Sequence, residues 1–206
     1  MIKAYGSSTS GNCWKVATVL TLTNRPFQWI EIDSNAGGTR TPDYLALNPN
    51  GKVPIVQLED GAVITESNAI LAHFAEGTRL LPAPGLDRTR VMEWLFFEQY
   101  SHEPYIATAR NWIAWKRVKD KHAAELPGMW DAGHKALAVM EQRLAKASYL
   151  AGNQLSIADL ALYAYTHRAE EGEFDLARYS WLRAWLDRVS AEPGLTSLPA
   201  AKKAAQ

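Results

Sequence analysis

The segment Leu81-Pro82-Ala83-Pro84-Gly85 sets two prolines and a glycine within five residues, and neither a helix nor a strand can run through it. Before it the apolar pattern changes period repeatedly. Ile2 to Tyr5 reads as a short strand, Cys13 to Leu22 as a helix with Val16, Val19 and Leu20 at helical spacing, and Phe27 to Ile32 as an alternating second strand. Thr41 to Leu47 suits a short helix, and Asn48-Pro49-Asn50-Gly51 a turn. Val53 to Leu58 and Ala62 to Thr65 flank Glu59-Asp60-Gly61 as a hairpin, and Ser67 to Ala75 closes the unit as a helix. The order β-α-β-α-β-β-α allows a right-handed crossover between the first two strands and a hairpin between the last two. Beyond Gly85 the strand signals stop. Arg88 to Tyr100, Ile106 to Lys119, Trp130 to Ala147, Ile157 to Arg168 and Trp181 to Ser190 all carry helical spacing. These patterns predict an α/β unit over residues 1–78 and an all-α unit over residues 87–206, with a frayed tail from Lys202 to Gln206.

Composition excludes several classes of function. Lys plus Arg and Asp plus Glu both number 22, so no field steers a polyanion, and neither nucleic acid nor an anionic membrane is an expected partner. Met1 to Gly6 lack the apolar run of a signal peptide, and no later stretch approaches the ~20 apolar residues of a spanning helix. A cytoplasmic location is the expectation. The single cysteine, Cys13, precludes an internal disulfide, and five scattered histidines show no ligand spacing, so metal is not expected.

Four local features can carry chemistry, each with a structural alternative. Ser7-Ser8-Thr9-Ser10-Gly11-Asn12-Cys13 lies between the first strand and the first helix. Ser10 or Asn12 can simply cap that helix, or the helix N-terminus can stabilise an anion such as a thiolate. Ser10 also stands where redox proteins with a βαβ start carry the nucleophilic cysteine of Cys-x-x-Cys. A hydroxyl there cannot exchange disulfides, but it can donate to another molecule's thiolate. In Lys52-Val53-Pro54-Ile55, Pro54 marks either a sheet edge or strand start, or a cis bond that turns the Val53 backbone outward to pair with an extended peptide. Glu66-Ser67 precedes an apolar helix; Ser67 fits a cap, while the pair together can hold an α-ammonium and an α-carboxylate. Ser156-Ile157-Ala158-Asp159 is a capping box with a purely structural task.

In this order and at these separations the four features resemble the cytosolic glutathione transferases over nearly the whole chain. Asn48-Pro49-Asn50-Gly51-Lys52-Val53-Pro54, followed by Glu66-Ser67-Asn68-Ala69-Ile70, is similar to that family's glutathione-site signature. The resemblance implies a thioredoxin-like N-terminal domain followed by an all-helical C-terminal domain. It implies that Val53-Pro54 is a cis pair holding the cysteinyl backbone, that Glu66 and Ser67 hold the γ-glutamyl end, and that Lys52 approaches the glycyl carboxylate. Ser10 falls at the place of the hydroxyl in serine-type members, with Thr9 and Asn12 as rivals for the sulfur. Tyr5 lies too early, inside the first strand, and Cys13 reads as a packed helix residue.

The activity so implied is attack of the glutathione thiolate on an electrophilic small molecule, in a homodimer and without metal. Tyr105, Arg110 and Trp112 are the expected electrophile contacts, with Trp115 near the same helix face and Arg110 expected as an exposed guanidinium. Packing or dimerisation is the alternative task for these aromatics. Two other functions stay open: a non-catalytic interaction module of the same architecture, and a glutathione-dependent peroxidase or thiol oxidoreductase.

Overall fold

In the computed structural model residues 1–196 are described, so the expected frayed tail at Lys202–Gln206 lies outside the described residues. The first unit is built from β1 (Ile2–Gly6), α1 (Gly11–Leu22), β2 (Phe27–Glu31), α2 (Pro42–Leu47), β3 (Ile55–Gln57), β4 (Val63–Thr65) and α3 (Ser67–Ala75). Its four-stranded sheet runs β2-β1-β3-β4, with β1 and β2 parallel and the other two pairs antiparallel. Ala4 pairs with Trp29 on one side and Val56 on the other, and Ala4 and Val56 are fully buried. The β3–β4 turn closes with Gly61 at φ 90°, a left-handed backbone that glycine adopts without steric cost. β3 is interior, so Pro54 does not mark a sheet edge; it sits one residue ahead of Ile55, where its missing N–H costs the ladder nothing.

The second unit comprises α4 (Leu86–Phe97), α5 (Glu103–Arg110), α6 (Leu126–Leu144), α7 (Ile157–Thr166) and α8 (Ser180–Ser190). Its boundaries depart from the sequence reading at several places, and α6 begins at Leu126 rather than Trp130. The pattern predicts helices at Arg88–Tyr100 and Ile106–Lys119, whereas the chain passes from α4 into α5 through a π-helical turn, Glu98–His102. Pro104 explains it: its ring nitrogen has no hydrogen for the Tyr100 carbonyl one turn back, so the backbone widens to continue. A second π turn, Asn111–Trp115, ends α5 early.

All ten residues of α7 are buried, making it the axis of the helical unit. It also joins the two units, because Trp14 of α1 packs on Tyr163 at 5.5 Å and the Ile157 amide donates to the Leu80 carbonyl at 2.9 Å. Asp159 fixes the start of α7. Its Oδ2 accepts from the Ser156 amide and hydroxyl, both at 3.0 Å, and its Oδ1 accepts from the Leu150 amide and the Trp185 indole, both at 2.9 Å.

Candidate active site

The start of α1 carries the first part of the site. Ser10 is extended at φ −88° and ψ 128°, and its Oγ accepts from the Cys13 amide at 3.4 Å, so it caps the helix. The loop before it folds back, with the Ser10 amide donating to the Ser7 carbonyl at 3.0 Å and the Ser7 and Thr9 hydroxyls 3.1 Å apart. Tyr165 of α7 lies over this turn: its hydroxyl accepts from the Asn12 amide at 3.4 Å. A Cβ on Gly11 would stand 2.7 Å from the Tyr165 ring, so only glycine lets the ring close over the turn. Cys13 is buried and accepts from the Ser7 amide at 3.3 Å; burial pushes its thiol up to about 11, against the Ser10 and Ser7 hydrogen bonds. It is a packed residue with no thiolate character at neutral pH.

A small cavity of about 80 Å³ opens beside this turn, with Val53, Pro54, Glu66, Ser67 and Lys52 in its wall. The Val53–Pro54 bond is cis. The Lys52 carbonyl is held by the Tyr44 hydroxyl and the Asn48 amide, each at 2.8 Å. Glu66 has φ 65° and ψ 115°, a conformation unusual for a residue with a side chain and the kind of strain that collects at binding sites. Ser67 does not cap α3, as its sequence position had implied. Its hydroxyl donates instead to Asn12 Oδ1 at 3.3 Å, and Asn12 Nδ2 donates to Glu103 Oε1 at 2.7 Å.

Behind this wall lies a buried charge network. Lys15 and Glu98, both at 0% exposure, pair at 2.7 Å; Asn68 donates to Glu98 at 2.9 Å, and Gln99 bridges Glu98 and Glu103 at 2.9 and 2.5 Å. Burial works to raise the Glu98 carboxyl, but Lys15 and Gln99 hold it below the usual range. Burial drives the Glu103 carboxyl up, with Lys15 opposing and the Glu98 charge reinforcing. His102, fully buried, is pushed down to about 4 by desolvation, and its Nε2 meets the Thr166 hydroxyl at 2.8 Å.

A second, larger cleft of about 640 Å³ runs between the units and shares Lys52, Val53, Gln99 and Glu103 with the small cavity. Ser7, Thr9 and Ser10 form one wall and Thr108, Asn111, Trp115 and Lys116 part of the other. The expectation for the electrophile contacts needs correction here. Arg110 reaches the cleft but is 3% exposed rather than open: its Nε pairs with Glu171 at 2.8 Å, its Nη1 donates to the Thr9 carbonyl at 3.4 Å, and its guanidinium lies 5.2 Å from the Trp115 ring centre. It ties α5 to the Ser10 loop and spends its charge doing so. Neither Tyr105 nor Trp112 is on the cleft wall; Trp112 stacks on His122 at 3.8 Å. The π turn at Asn111–Trp115 rotates the tryptophans away from ordinary helical phase, leaving Trp115 as the one at the cleft.

Glu103, Gln99 and Tyr165 were missed by sequence reasoning. All three come from the helical unit; Glu103 and Tyr165 reach Asn12 across the boundary at Leu81–Gly85, where no local spacing records a contact, and Gln99 holds Glu103 in place. Chemically, the helix start and Ser10 hydroxyl suit an anion, the Val53 segment suits an extended chain, and Glu66 with Ser67 suits a zwitterionic head group. Among the described residues no helix is long and apolar enough to cross a membrane.

Both units are similar to known proteins. Residues 9–76 match the family described as Glutathione S-transferase, N-terminal domain, and residues 123–188 match Glutathione S-transferase, C-terminal domain. Glutathione S-transferase 3 of Zea mays is 30% identical over 97% of this chain and 94% of its own. A crystal structure of a glutathione S-transferase from Xanthobacter autotrophicus Py2 superposes with a TM-score of 0.94 at 57% identity, covering 97% of this chain and 98% of that one. Ure2p in complex with S-hexylglutathione superposes with a TM-score of 0.85 at 26% identity, over 94% and 96% of the two chains. With both units matched and the relatives covered almost end to end, the chain belongs to the glutathione S-transferase family.

Proposed function

We propose that this protein conjugates glutathione to electrophilic small molecules, with Ser10 donating a hydrogen bond to the thiolate. The observation that carries the reading is the meeting of the two cavities along Lys52 and Val53, beside the helix start that presents Ser10. In this reading Glu66 and Ser67 take the γ-glutamyl end in the small cavity, Val53 with Pro54 pairs with the cysteinyl backbone, and Lys52 receives the glycyl carboxylate. The sulfur then points into the large cleft, where the electrophile sits against Trp115. That Ure2p is solved with S-hexylglutathione supports a tripeptide in this fold.

The free thiol of glutathione has an ordinary pKa of ~8.5. A drop of about two units, ~2.7 kcal/mol, makes the thiolate dominant at neutral pH, and one charged hydrogen bond plus the helix start are of that size. No general base is then required. A thiol-exchange mechanism is disfavoured by serine at the nucleophile's place and by the buried, neutral Cys13. The complete set of Ser10, Val53-Pro54 and Glu66-Ser67 disfavours a non-catalytic interaction module.

Titration calorimetry with reduced glutathione is expected to saturate with a dissociation constant between micromolar and millimolar. Absence of heat at several millimolar ligand would remove the assignment. A cytoplasmic homodimer completes the reading, and Phe96 near the end of α4 and Tyr100 in the turn beyond it, exposed at 69% and 83%, support the dimer as apolar surface for a second copy to cover. Light scattering should return twice the chain mass, and a monomer mass across concentrations would contradict the dimer.

A further inference from the structure

The large cleft is lined mostly by hydroxyl, amide and charged residues. Its aliphatic side chains, Val53, Pro104 and Ala107, are small, and Trp115 is its one tryptophan. Such a wall suits a polar molecule better than a bulky hydrocarbon, because covering unpaired donors with apolar surface is costly.

Charge narrows the choice further. Among the described residues three cations and one carboxylate line the cleft. Arg110 is neutralised by Glu171, and the Glu103 oxygens accept from Asn12 and Gln99. Lys52 takes the glycyl carboxylate in the proposed reading. That leaves Lys116, exposed and without an ion-pair partner among the described residues. The π turn is what puts it there. Its closing hydrogen bond runs from the Lys116 amide to the Asn111 carbonyl at 2.8 Å, and residues five apart, which an α-helix turns to different sides, share a side when the helix widens in this way. Asn111, Trp115 and Lys116 therefore stand together on the wall. Arg117 then turns the chain away at φ 53°, a left-handed backbone uncommon for a residue with a side chain.

The geometry points to Lys116 as the residue that selects the electrophile, and to a small planar electrophile bearing a carboxylate. The acid group lies on Lys116 and Asn111, and the flat body lies against Trp115. This rests on the reading that the cleft takes the second substrate of a glutathione conjugation. An anionic electrophile has to approach a thiolate of like charge, and a cation on the opposite wall offsets that repulsion. A neutral electrophile gains nothing from Lys116.

The test measures kcat/KM on the full chain with 4-(chloromethyl)benzoate and 4-(chloromethyl)benzamide, which differ in charge but scarcely in size. In both, the thiolate sulfur forms a bond to the CH₂ carbon while the carbon–chlorine bond breaks and chloride leaves with the electron pair. Each enzymatic rate is divided by its spontaneous rate. At low salt the wild type should favour the benzoate about fivefold, as an ion pair open to solvent allows, and the preference should fall as salt is added. Lys116→Gln should bring the ratio to near one, Lys116→Glu below one, and Lys116→Arg should keep it. Lys116 is exposed, so these substitutions leave the core untouched. A wild-type ratio near one, or a ratio unmoved in Lys116→Gln, would overturn the inference. So would turnover of neither compound by a protein that binds glutathione. Failure to bind glutathione at all would instead defeat the underlying functional reading.

Discussion

Asp159→Ala is expected to lower folding stability by about 3–5 kcal/mol and the thermal midpoint by about 10 °C or more, while the folded fraction keeps its turnover. Four donors converge on this fully buried carboxylate: the amides of Leu150 and Ser156, the Ser156 hydroxyl and the Trp185 indole. Removing the acceptor leaves them unpaired in the core, at roughly 1–3 kcal/mol for each that water cannot reach. Asp159→Asn should cost nearly as much. Each oxygen receives two donors, so an amide NH₂ placed on either side meets donors rather than acceptors. Differential scanning calorimetry reads the shift. A midpoint that holds while turnover collapses would mean that Asp159 serves the chemistry instead of the fold.

Ser10→Ala should slow conjugation at neutral pH by ~10- to 100-fold, because a charge-assisted hydrogen bond to the thiolate is worth roughly 1.5–3 kcal/mol. Glutathione affinity should change little, since the proposed binding contacts lie with Val53, Glu66 and Ser67. The loss should shrink as pH rises, because above the raised pKa the thiol ionises without help. The substitution also removes the α1 cap, worth about 0.5–2 kcal/mol, so rates belong well below the melting range. Asn12→Ala should behave differently. Both ends of the Asn12 amide are occupied, by Glu103 at 2.7 Å and Ser67 at 3.3 Å, so its loss should weaken thiol affinity more than it moves the sulfur's ionisation.

The α/β unit was legible because its signals are local. Periods of two and near four alternate, Gly61 marks the hairpin, and α3 runs over Ser67–Ala75 as the apolar spacing predicts. The Ser156–Asp159 motif likewise announced its own contact, although the Leu150 and Trp185 donors that make Asp159 so costly to replace come from outside it. The electrophile side was not legible. Arg110 read as exposed because sequence shows its helix but not Glu171, which arrives sixty-one residues later to neutralise it. Trp112 was assigned to the cleft on ordinary helical phase, and the π turn changed that phase. Glu103 carried no signal: its partners are Gln99 in the π turn before α5 and Asn12 ninety-one residues away, and only the docking of the two units brings Asn12 to it.

The central claim is that Ser10 at the start of α1 stabilises the thiolate of bound glutathione. Its most direct test is the ultraviolet thiolate absorbance of the enzyme–glutathione complex, titrated against pH in the wild type, Ser10→Ala, Thr9→Ala and Asn12→Ala. The account predicts a wild-type midpoint about two units below the free thiol's ~8.5, an upward shift of about one to two units in Ser10→Ala, and little movement in the other two. An unmoved midpoint in Ser10→Ala, with the shift appearing in Thr9→Ala or Asn12→Ala or in none of them, would contradict it.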